Sequence, residues 1–422
     1  MRILVNTTTF PNSSESPVPR FVLDQILHFR KIDPSIDIDV LVPQHAYSEV
    51  LPKYRVFDSH REIRYHYFWP WRFEKLTGRG IMPALKENPF RALLIPFHLL
   101  FQYLSLRQVC LAEKPDVVYA HWFMTPAAVS YFVCKKLDIP LVFTTHASDV
   151  SVLKKVPFAK KFITRVLNYA QAFTAVSGRT ENKLKSFYTH EEWVENYKDK
   201  MHVVPMGVEL PSEASDSSQT SKLLIEAGID TTKNYILTMG RLAQKKGIKY
   251  LIDAYGQLSD EQQLKNQLIV AGDGQLLQEL EKRAAEIDHA GEIIFTGYVH
   301  GDLKYALQSR CRVFVLPSVI DEQGDSEGLP VTLMEAMANG RIVVATNVSG
   351  AEEVINDEVG YLVPPNSSDQ LCDAMAKVLG LTDSEVDLMQ LKSRELSTQF
   401  EWPRIAEIHI DLLKMAVHDH SK

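Results

Sequence analysis

Short apolar runs rich in β-branched residues alternate along this chain with longer segments in which apolar residues recur every three or four positions. The short runs are typical of buried strands, and the longer segments are typical of amphipathic helices. Two of the predicted helices lie in RFVLDQILHF and FAKKFITRVLNYA. The predicted strands of the first half are RILVN, DIDVLVP, DVVYAH, PLVFTTH, AFTAVS and HVVPMG, and those of the second half are YILTMG, QLIVAG, EIIFTG, CRVFVLPS, RIVVAT and GYLVPP.

Alternation of strands and helices predicts parallel sheets with helices on both faces, that is, an α/β fold. The polar, serine-rich stretch PSEASDSSQTSK (residues 211–222) separates the two halves and predicts an inter-domain linker or an exposed loop. A solvated loop inside one domain is the alternative. Ligands of open α/β sheets bind at the carboxyl ends of the strands, so two such halves suggest a ligand cleft between two domains.

Composition narrows the class of protein. The 422 residues, 45% apolar and 23% charged, describe a globular chain of two or three domains. The net charge of −7 argues against a nucleic-acid partner. The four cysteines, Cys110, Cys134, Cys311 and Cys372, lack metal-ligand spacing, so we expect reduced thiols in a cytoplasmic protein. MRILVNTTTF predicts a first strand rather than a signal peptide, and ALLIPFHLLFQYLSL is too short to span a bilayer.

The segment EGLPVTLMEAMANG (residues 327–340) carries two glutamates, Glu327 and Glu335. Its composition predicts a helix from about residue 330 to residue 339, and Gly328 before it permits close backbone approach to a ligand. The glutamates would lie about 10 Å apart along the helix, which suits hydroxyl groups at the two ends of an extended ligand. The alternative is a charge favoured by the helix dipole at the first position and a surface residue at the second.

EGLPVTLMEAMANG resembles the E-x7-E signature of the family 4 retaining glycosyltransferases, and VVATNVSGAEEVINDEVGYLVPP resembles the segment that follows it there. The resemblance implies a GT-B fold, in which two Rossmann-like parallel-sheet domains face each other across a deep cleft. The acceptor-binding domain would comprise residues 1–208 and the nucleotide-sugar-binding domain residues 209–402. A C-terminal helix of about residues 403–422 would cross back onto the first domain.

The turn GRLAQKKG (residues 240–247) offers Arg241 and Lys246 at the end of a predicted strand. A cation pair at such a turn suits a diphosphate leaving group, although two solvated cations at a helix start are the alternative. In the resembled family these two positions hold the nucleotide diphosphate, and the register disfavours Lys245.

The resemblance also implies a donor-binding set and a catalytic set. Backbone groups of FTGYV would meet the nucleobase, and the amides before the helix would meet the diphosphate; core packing is the alternative for FTGYV. The donor-binding residues are Gly240, Gly272, Tyr298, Val299, Gly328, Leu329, Val331 and Glu335, and the catalytic residues are His146, Arg241, Lys246 and Glu327.

Four residues of the first half belong to the predicted site. TTHASDV resembles the H-G-S-D segment of the family, so His146 would touch the donor sugar and Asp149 would support the acceptor side. His121 in AHWFMTP would be a supporting residue, and Arg20 stands in the N-terminal loop where many relatives carry glycine. A histidine in an apolar segment is more often structural, which is the alternative reading of His146.

The function implied is transfer of a sugar, with retention of configuration, from a nucleotide-diphospho-sugar to a saccharide acceptor, lipid-linked and destined for cell-surface polysaccharide. No metal or other cofactor is expected, and the protein would be a monomer or weak dimer. A GT-B sugar-nucleotide epimerase, a phosphorylase or a non-catalytic sugar-nucleotide-binding protein is the alternative.

Residues 54–107 mix aromatic and basic side chains, a composition that suits a membrane interface. We therefore expect a cytoplasmic protein, either free or bound peripherally to the inner face of the cytoplasmic membrane. An insertion packed on its own domain is the alternative.

Overall fold

The structure is a computed structural model, and it describes residues 1–13, 16, 18–46, 50–78, 80–146, 150, 153, 158–211, 217–287, 291–322 and 324–422. The chain divides into two compact units, Met1–Gly207 with Trp402–Lys422, and Val208–Glu401. Each unit is built on its own sheet, in accord with the α/β class that the alternating pattern predicts.

The first unit contains an eight-stranded sheet within its described residues, in the order β3-β4-β2-β1-β5-β6-β7-β8. Every pairing is parallel except that of β3 with β4. Alternate residues of the strands enter separate cores, because successive side chains point to opposite faces. The strands are β1 Arg2–Asn6, β2 Asp37–Pro43, β3 Tyr54–Val56, β4 Arg61–Tyr65, β5 Val117–His121, β6 Leu141–Thr145, β7 Ala172–Ala175 and β8 Met201–Val203.

Helices cover both faces of this sheet, as a parallel sheet requires. One is preceded by Ser177, whose side chain accepts a hydrogen bond from the backbone amide of Thr180 and so caps the helix. The helices are α1 Phe21–Ile32, α2 Ile81–Glu87, α3 Ile95–Glu113, α4 Ala128–Leu137, α5 Ala159–Tyr169, α6 Gly178–Lys185 and α7 His190–Asn196.

Strands β3 and β4 were not among the sequence predictions. Strand β4 has the sequence REIRY, in which three of the five residues are charged. Charged residues are uncommon in strands and therefore mask the strand pattern. Glu62 and Arg64 nevertheless lie inside, 2.9 Å apart, and Arg55 of β3 approaches Glu62 to 3.4 Å. Pairing of charges within β4 and with the edge strand β3 therefore allows this polar sequence to be buried.

The second unit contains a six-stranded parallel sheet within its described residues, in the order β11-β10-β9-β12-β13-β14. All six strands coincide with predicted ones. They are β9 Asn234–Met239, β10 Asn266–Ala271, β11 Ile293–Gly297, β12 Val313–Leu316, β13 Ile342–Thr346 and β14 Gly360–Val363. The helices are α8 Ser217–Glu226, α9 Ile248–Gly256, α10 Asp260–Lys265, α11 Leu277–Ile287, α12 Gly301–Arg310, α13 Val331–Ala338, α14 Ser368–Leu379 and α15 Asp383–Ser397.

Helix α8 corrects one prediction, since its first residues lie in the stretch 211–222 that was expected to be a linker or loop. Leu224 of α8 is buried, and the hydroxyl of Ser221 accepts a hydrogen bond of 2.6 Å from Arg310 of α12. Packing against α12 thus makes a helix of a polar segment whose own propensity does not indicate one.

The C-terminal helix α16, Trp402–His420, belongs to the first unit and packs against α1. The Trp402 ring stacks on His28 with centroids 5.6 Å apart. It also lies against Gly207, where a Cβ atom would approach the indole to 2.3 Å. Trp402 therefore anchors the helix at the point where the chain leaves the first unit and returns to it. Within the described parts of the chain, no helix is both long and apolar enough to cross a bilayer.

Candidate active site

The two glutamates of the signature lie where the sequence places them relative to helix α13. The helix runs over Val331–Ala338, within one residue of its predicted bounds, and Pro330 stands immediately before it. Glu327 therefore belongs to the loop that approaches the helix, and Glu335 to the helix itself. The first amides of a helix have no intrahelical acceptor, so this loop and helix start present N–H groups and partial positive charge.

Glu335 is held by two side chains of α12. Its Oε1 atom lies 2.5 Å from the ammonium nitrogen of Lys304, and its Oε2 atom accepts a hydrogen bond of 3.1 Å from Gln308. A carboxylate among apolar helix residues needs such partners. The pair fixes the orientation of Glu335, and neither partner was identified from the sequence.

Glu327 lies between two lysines of the turn that follows β9. Its Oε2 atom is 3.3 Å from the ammonium nitrogen of Lys246, and its Oε1 atom is 3.4 Å from that of Lys245. Lys245 also contacts Oδ2 of Asp325 at 3.1 Å. The four residues form a cluster of two carboxylates and two ammonium groups, which we call the Glu327 cluster.

The electrostatics of the Glu327 cluster keep the glutamate ionised. Burial alone would raise the pKa of Glu327, whose side chain is only 14% exposed, but the charges of Lys245 and Lys246 outweigh it and lower the pKa to about 2. The same carboxylates raise the pKa of Lys245 against the opposing effect of burial. At neutral pH Glu327 is therefore a hydrogen-bond acceptor and Lys245 a fixed cation.

Glycines bring four loops of the second unit into close backbone contact, two by two. At Gly272, with φ of +156°, a Cβ atom would lie 1.9 Å from the carbonyl oxygen of Gly240. At Gly350, with φ of +74°, it would lie 1.9 Å from the carbonyl oxygen of Gly328. Only glycine fits both positions. The backbone of Gly240 and of Gly328 is thus supported from behind by a neighbouring turn.

Lys246 reaches the glycine turn as well as the glutamate. A Cβ atom at Gly240 would lie 3.3 Å from both Cε and Nζ of Lys246. Arg241 is exposed, next to that turn. The predicted cation pair therefore stands at the carboxyl end of β9, where a strand of an open α/β sheet meets its ligand.

The residues predicted to contact the nucleobase and the diphosphate differ in how far their side chains are exposed. Val299 and Leu329 are buried, so their side chains pack inside and only backbone groups remain for a ligand. Tyr298 is exposed, with its ring centroid 5.9 Å from that of His300. Contact of these residues with a donor stays a prediction.

In the first unit, His121 and His146 contact each other at the carboxyl ends of β5 and β6. Nδ1 of His121 lies 3.2 Å from Nε2 of His146. Burial, aided by the charge of His409, lowers the pKa of His146 to about 3, and burial also lowers the pKa of His121. Both rings are neutral at pH 7, so one nitrogen donates and the other accepts.

Aromatic side chains surround His146. The ring centroids of Trp122 and Phe21 lie 4.6 and 5.1 Å from that of His146. Trp122 has φ of +72°, a conformation that is rare for a bulky residue and that concentrates at functional sites. These neighbours give His146 a fixed position at the edge of the sheet.

Of the remaining predicted site residues, the structure describes Arg20 but not Asp149. Arg20 immediately precedes α1 and contacts Asp24 across one helical turn, with Nη2 and Oδ1 3.4 Å apart. Its exposed guanidinium therefore has a local partner. Asp149 lies outside the described residues, as do Ala147 and Ser148 of the same motif.

Lys304 and Gln308 are site residues that the sequence reasoning missed. It disfavoured Lys245 by register and gave Asp325 no role, but both belong to the Glu327 cluster. The only signals were a second lysine beside Lys246 and an acidic residue two positions before Glu327. Among the described residues, no group of three or more histidine, cysteine, aspartate or glutamate side chains is arranged to hold a metal ion. The four cysteines are free thiols.

Comparison with known proteins places this chain in a family. Residues 36–211 match the family described as Glycosyltransferase Family 4, and residues 221–390 match Glycosyl transferases group 1. The putative colanic acid biosynthesis glycosyltransferase WcaL of Escherichia coli (strain K12) is 32% identical over 92% of each chain. The amylovoran biosynthesis glycosyltransferase AmsK of Erwinia amylovora is 26% identical over 92% of each chain.

The fold is similar to that of HepE from Anabaena, whose structure contains UDP. The TM-score is 0.69 at 17% identity, and the match covers 98% of this chain and 100% of that one. The expected GT-B fold is thereby confirmed. The family match and the glycosyltransferase relatives confirm the assignment as an enzyme of the transferase class. This chain belongs to the family 4 (group 1) glycosyltransferases.

Proposed function

We propose that this enzyme transfers a sugar from a nucleotide-diphospho-sugar to a saccharide hydroxyl with retention of anomeric configuration. The observation that carries the proposal is the contact of Lys246 with Glu327 beside the backbone of Gly240. A cation for phosphate and a carboxylate for hydroxyl groups are thus adjacent, as they must be to hold the two sides of one glycosidic bond.

The diphosphate would be bound by Arg241, by Lys246 and by the amides before and at the start of α13. Pro330 has no N–H, so Gly328, Leu329 and Val331 supply the available amides. These fixed donors would stabilise the negative charge that develops on the leaving diphosphate. Such electrostatic stabilisation of the transition state is the largest contribution to catalysis in many enzymes. No metal is needed in this proposal, because lysine ammonium groups already lie beside both Asp325 and Glu327.

The two glutamates would bind opposite ends of the donor. Glu327 would accept hydrogen bonds from the hydroxyls of the transferred sugar, and Glu335 from the ribose. Lys304 and Gln308 hold Glu335 in one orientation, so its free lone pairs have a fixed direction. His146, neutral at pH 7, would donate to or accept from the sugar near the reacting carbon without adding charge.

Retention would follow from attack on the face that the diphosphate leaves. The acceptor oxygen forms the new bond to the anomeric carbon as the bond to the phosphate oxygen breaks. The acceptor's proton passes to the departing phosphate oxygen, so no second carboxylate is required as a base. Glu327, with its pKa near 2, is a weak base at neutral pH and is better suited to orientation than to proton transfer.

The pathway is proposed from the relatives. One is named for colanic acid biosynthesis and the other for amylovoran biosynthesis. We infer that this chain also builds a cell-surface polysaccharide, on a lipid-linked acceptor, with the first unit binding the acceptor and the second unit the donor.

An apolar surface of the first unit supports a membrane-bound acceptor. Large apolar side chains are exposed along α3 and the segments before it, and Phe90 is 80% and Trp69 78% exposed. The ring of the half-buried Phe68 links α3 to the segment before it, since it contacts both Phe97 of α3 and Phe73. The outer apolar face, as we call it, consists of Trp69, Trp71, Phe73, Phe90, Leu93, Phe97, Leu100, Phe101 and Leu104.

Charge favours a phospholipid surface as the occupant of this face. Its apolar residues on α3 recur every three or four positions, which forms one stripe of the helix. Residues 66–107 contain six arginine and lysine residues but only two glutamates, Glu74 and Glu87, and Glu74 is buried. An apolar stripe among cations is typical of binding to an anionic leaflet. We therefore propose peripheral attachment to the inner face of the cytoplasmic membrane.

A thermal-shift panel tests the donor. Purified protein is heated with UDP, GDP and ADP and with UDP-glucose, GDP-mannose and ADP-glucose, since a ligand of the folded state raises the melting temperature. We expect one nucleoside series to stabilise the wild type and to have little effect on Lys246→Met. Lys249→Met, a substitution of an exposed lysine on α9, is the matched control.

Failure of all three series to stabilise the wild type would contradict the proposal. Consumption of a nucleotide-sugar without a saccharide acceptor, or dependence of the reaction on inorganic phosphate, would instead indicate an epimerase or a phosphorylase.

A further inference from the structure

Lys245 makes contacts that the proposed reaction does not yet use. Its ammonium nitrogen lies 3.1 Å from Asp325 and 3.4 Å from Glu327, and its side chain is only a quarter exposed. Its backbone carbonyl accepts a hydrogen bond of 2.8 Å from the amide of Val319, in the loop that leads to these carboxylates. Lys245 is therefore fixed to that loop through both its backbone and its side chain.

Lys246 alone cannot both bind diphosphate and keep Glu327 paired. In the structure its ammonium group contacts Glu327 and lies close to Gly240. Phosphate oxygens that entered beside Gly240 would compete with the glutamate for this one cation. A carboxylate that is mostly buried needs another partner when the first is taken.

We infer that Lys245, held by Asp325, is a positioning residue that keeps the Glu327 carboxylate ionised and aimed at the donor sugar while Lys246 engages the diphosphate. The inference rests on the proposed function and concerns the same site. Lys245 has no direct contact with the donor in this arrangement. Its effect should appear in recognition of the sugar and not in recognition of the diphosphate.

Asp325 fits the same role. Its Oδ2 atom contacts Lys245. Its backbone amide donates a hydrogen bond of 2.9 Å to Oδ1 of Asp321, and its carbonyl oxygen accepts one from the amide of Asp321. This tight turn fixes Asp325, so Asp325 in turn fixes the ammonium group of Lys245. Among the residues that the structure describes, the charged groups that face Glu327 are Lys245 and Lys246 from the turn after β9, with Asp325 on its own loop.

The test compares binding of each nucleoside diphosphate with binding of its nucleotide-sugar by calorimetry. The probes are UDP with UDP-glucose, GDP with GDP-mannose, and ADP with ADP-glucose. The proteins are wild type, Lys245→Met, Lys245→Arg and Asp325→Asn, each checked for a wild-type circular dichroism spectrum. Lys249→Met serves as the control for loss of one lysine.

We expect Lys245→Met to bind the diphosphate within about twofold of the wild type and the nucleotide-sugar about tenfold more weakly. Asp325→Asn should show a smaller loss of the same kind, and Lys245→Arg should recover most of the sugar affinity. Loss of sugar affinity on acidification should begin at a higher pH in Lys245→Met, because one of the two cations that hold Glu327 ionised is gone.

The other outcomes of this test would overturn either the role of Lys245 or the proposed function itself. Equal weakening of diphosphate and nucleotide-sugar binding, or no change in either, would overturn the role of Lys245 while leaving the proposed function intact. If Lys245→Met does not fold, unchanged sugar affinity and pH dependence in Asp325→Asn would overturn it. A wild type that binds none of the six probes would contradict the proposed function, and the inference would fall with it.

Discussion

The ammonium nitrogen of Lys246 lies 3.3 Å from the Oε2 atom of Glu327. The two groups that would flank a glycosidic bond therefore form an ion pair with each other. Binding must exchange part of this ion pair for contacts with phosphate and sugar. Such an exchange makes binding of the two halves of the donor separable by mutation.

Glu327→Gln should separate them. The amide keeps the shape of the carboxylate but accepts hydrogen bonds from sugar hydroxyls more weakly, so we expect kcat/KM for transfer to fall about 100-fold. Affinity for the nucleoside diphosphate should stay equal or increase, because Lys246 no longer has an anionic partner. Steady-state kinetics and calorimetry measure the two effects.

Glu322→Gln is the control for this substitution, since Glu322 is exposed in the same loop. It should leave both values unchanged. A parallel loss of diphosphate affinity in Glu327→Gln would show that the glutamate supports the fold of the loop and does not act on the sugar.

Gly350→Ala should disturb the amides before α13. Its Cβ atom would meet the carbonyl oxygen of Gly328 at 1.9 Å, whereas at Gly228, with φ of +80°, a Cβ atom has nothing within 4 Å. Both alanines have a strained backbone, which costs about 1 kcal/mol. We expect Gly350→Ala to lower the free energy of unfolding by a further 1–3 kcal/mol or so and to weaken diphosphate binding.

Circular dichroism melting and calorimetry of the two variants provide the measurement. Equal melting temperatures and equal diphosphate affinities for Gly350→Ala and Gly228→Ala would contradict the supporting role of Gly350.

Buried neutral histidines should make the first unit sensitive to acid. Burial lowers the pKa of His98 to about 3, against 6.5 for a free side chain. Between pH 6.5 and pH 3 the unfolded chain therefore binds a proton at His98 that the folded chain does not. The free energy of unfolding consequently declines as the pH falls from 6.5 toward 3. At pH 5.5 the loss from this one group is about 1.4 kcal/mol.

Urea unfolding at pH 7.5 and 5.5, followed by tryptophan fluorescence, tests this expectation. All five tryptophans lie in the first unit, so the signal reports that unit alone. His98→Gln should reduce the fall in unfolding free energy between the two pH values, whereas a substitution of the exposed His418, His418→Gln, should not. Identical pH dependence in the two variants would contradict the assignment.

Membrane binding should depend on the outer apolar face. We expect wild-type protein to float with anionic phosphatidylglycerol vesicles at low salt and to bind phosphatidylcholine vesicles less. The triple substitution Phe90→Ser, Leu93→Ser and Phe97→Ser should weaken binding at least about tenfold, because three large apolar side chains no longer enter the interface.

Leu388→Ser with Leu391→Ser is the matched control, since both leucines are at least half exposed but belong to the second unit. Flotation of the triple variant equal to that of the control, or a wild type that stays with the soluble fraction, would rule out this surface as the attachment site.

The twelve predicted strands all occur, because buried strands of a parallel sheet are marked by dense apolar runs. Strands β3 and β4 were missed for the opposite reason. The charges of Glu62 and Arg64 are typical of a solvated segment in the sequence. In the folded unit the two side chains are buried and paired with each other. The helix at Ser217–Glu226 was missed because Leu224 finds its packing partner only in the folded unit.

The sequence by itself determined the α/β class, the position of helix α13 and the placement of Glu327 before it, since these depend on local periodicity and on neighbours along the chain. Tertiary structure alone decided that Lys245, 80 positions from Asp325, lies beside it, and that Lys304 holds Glu335. Ion pairs between loops of different strands depend on distances in space, which no local pattern of residues encodes.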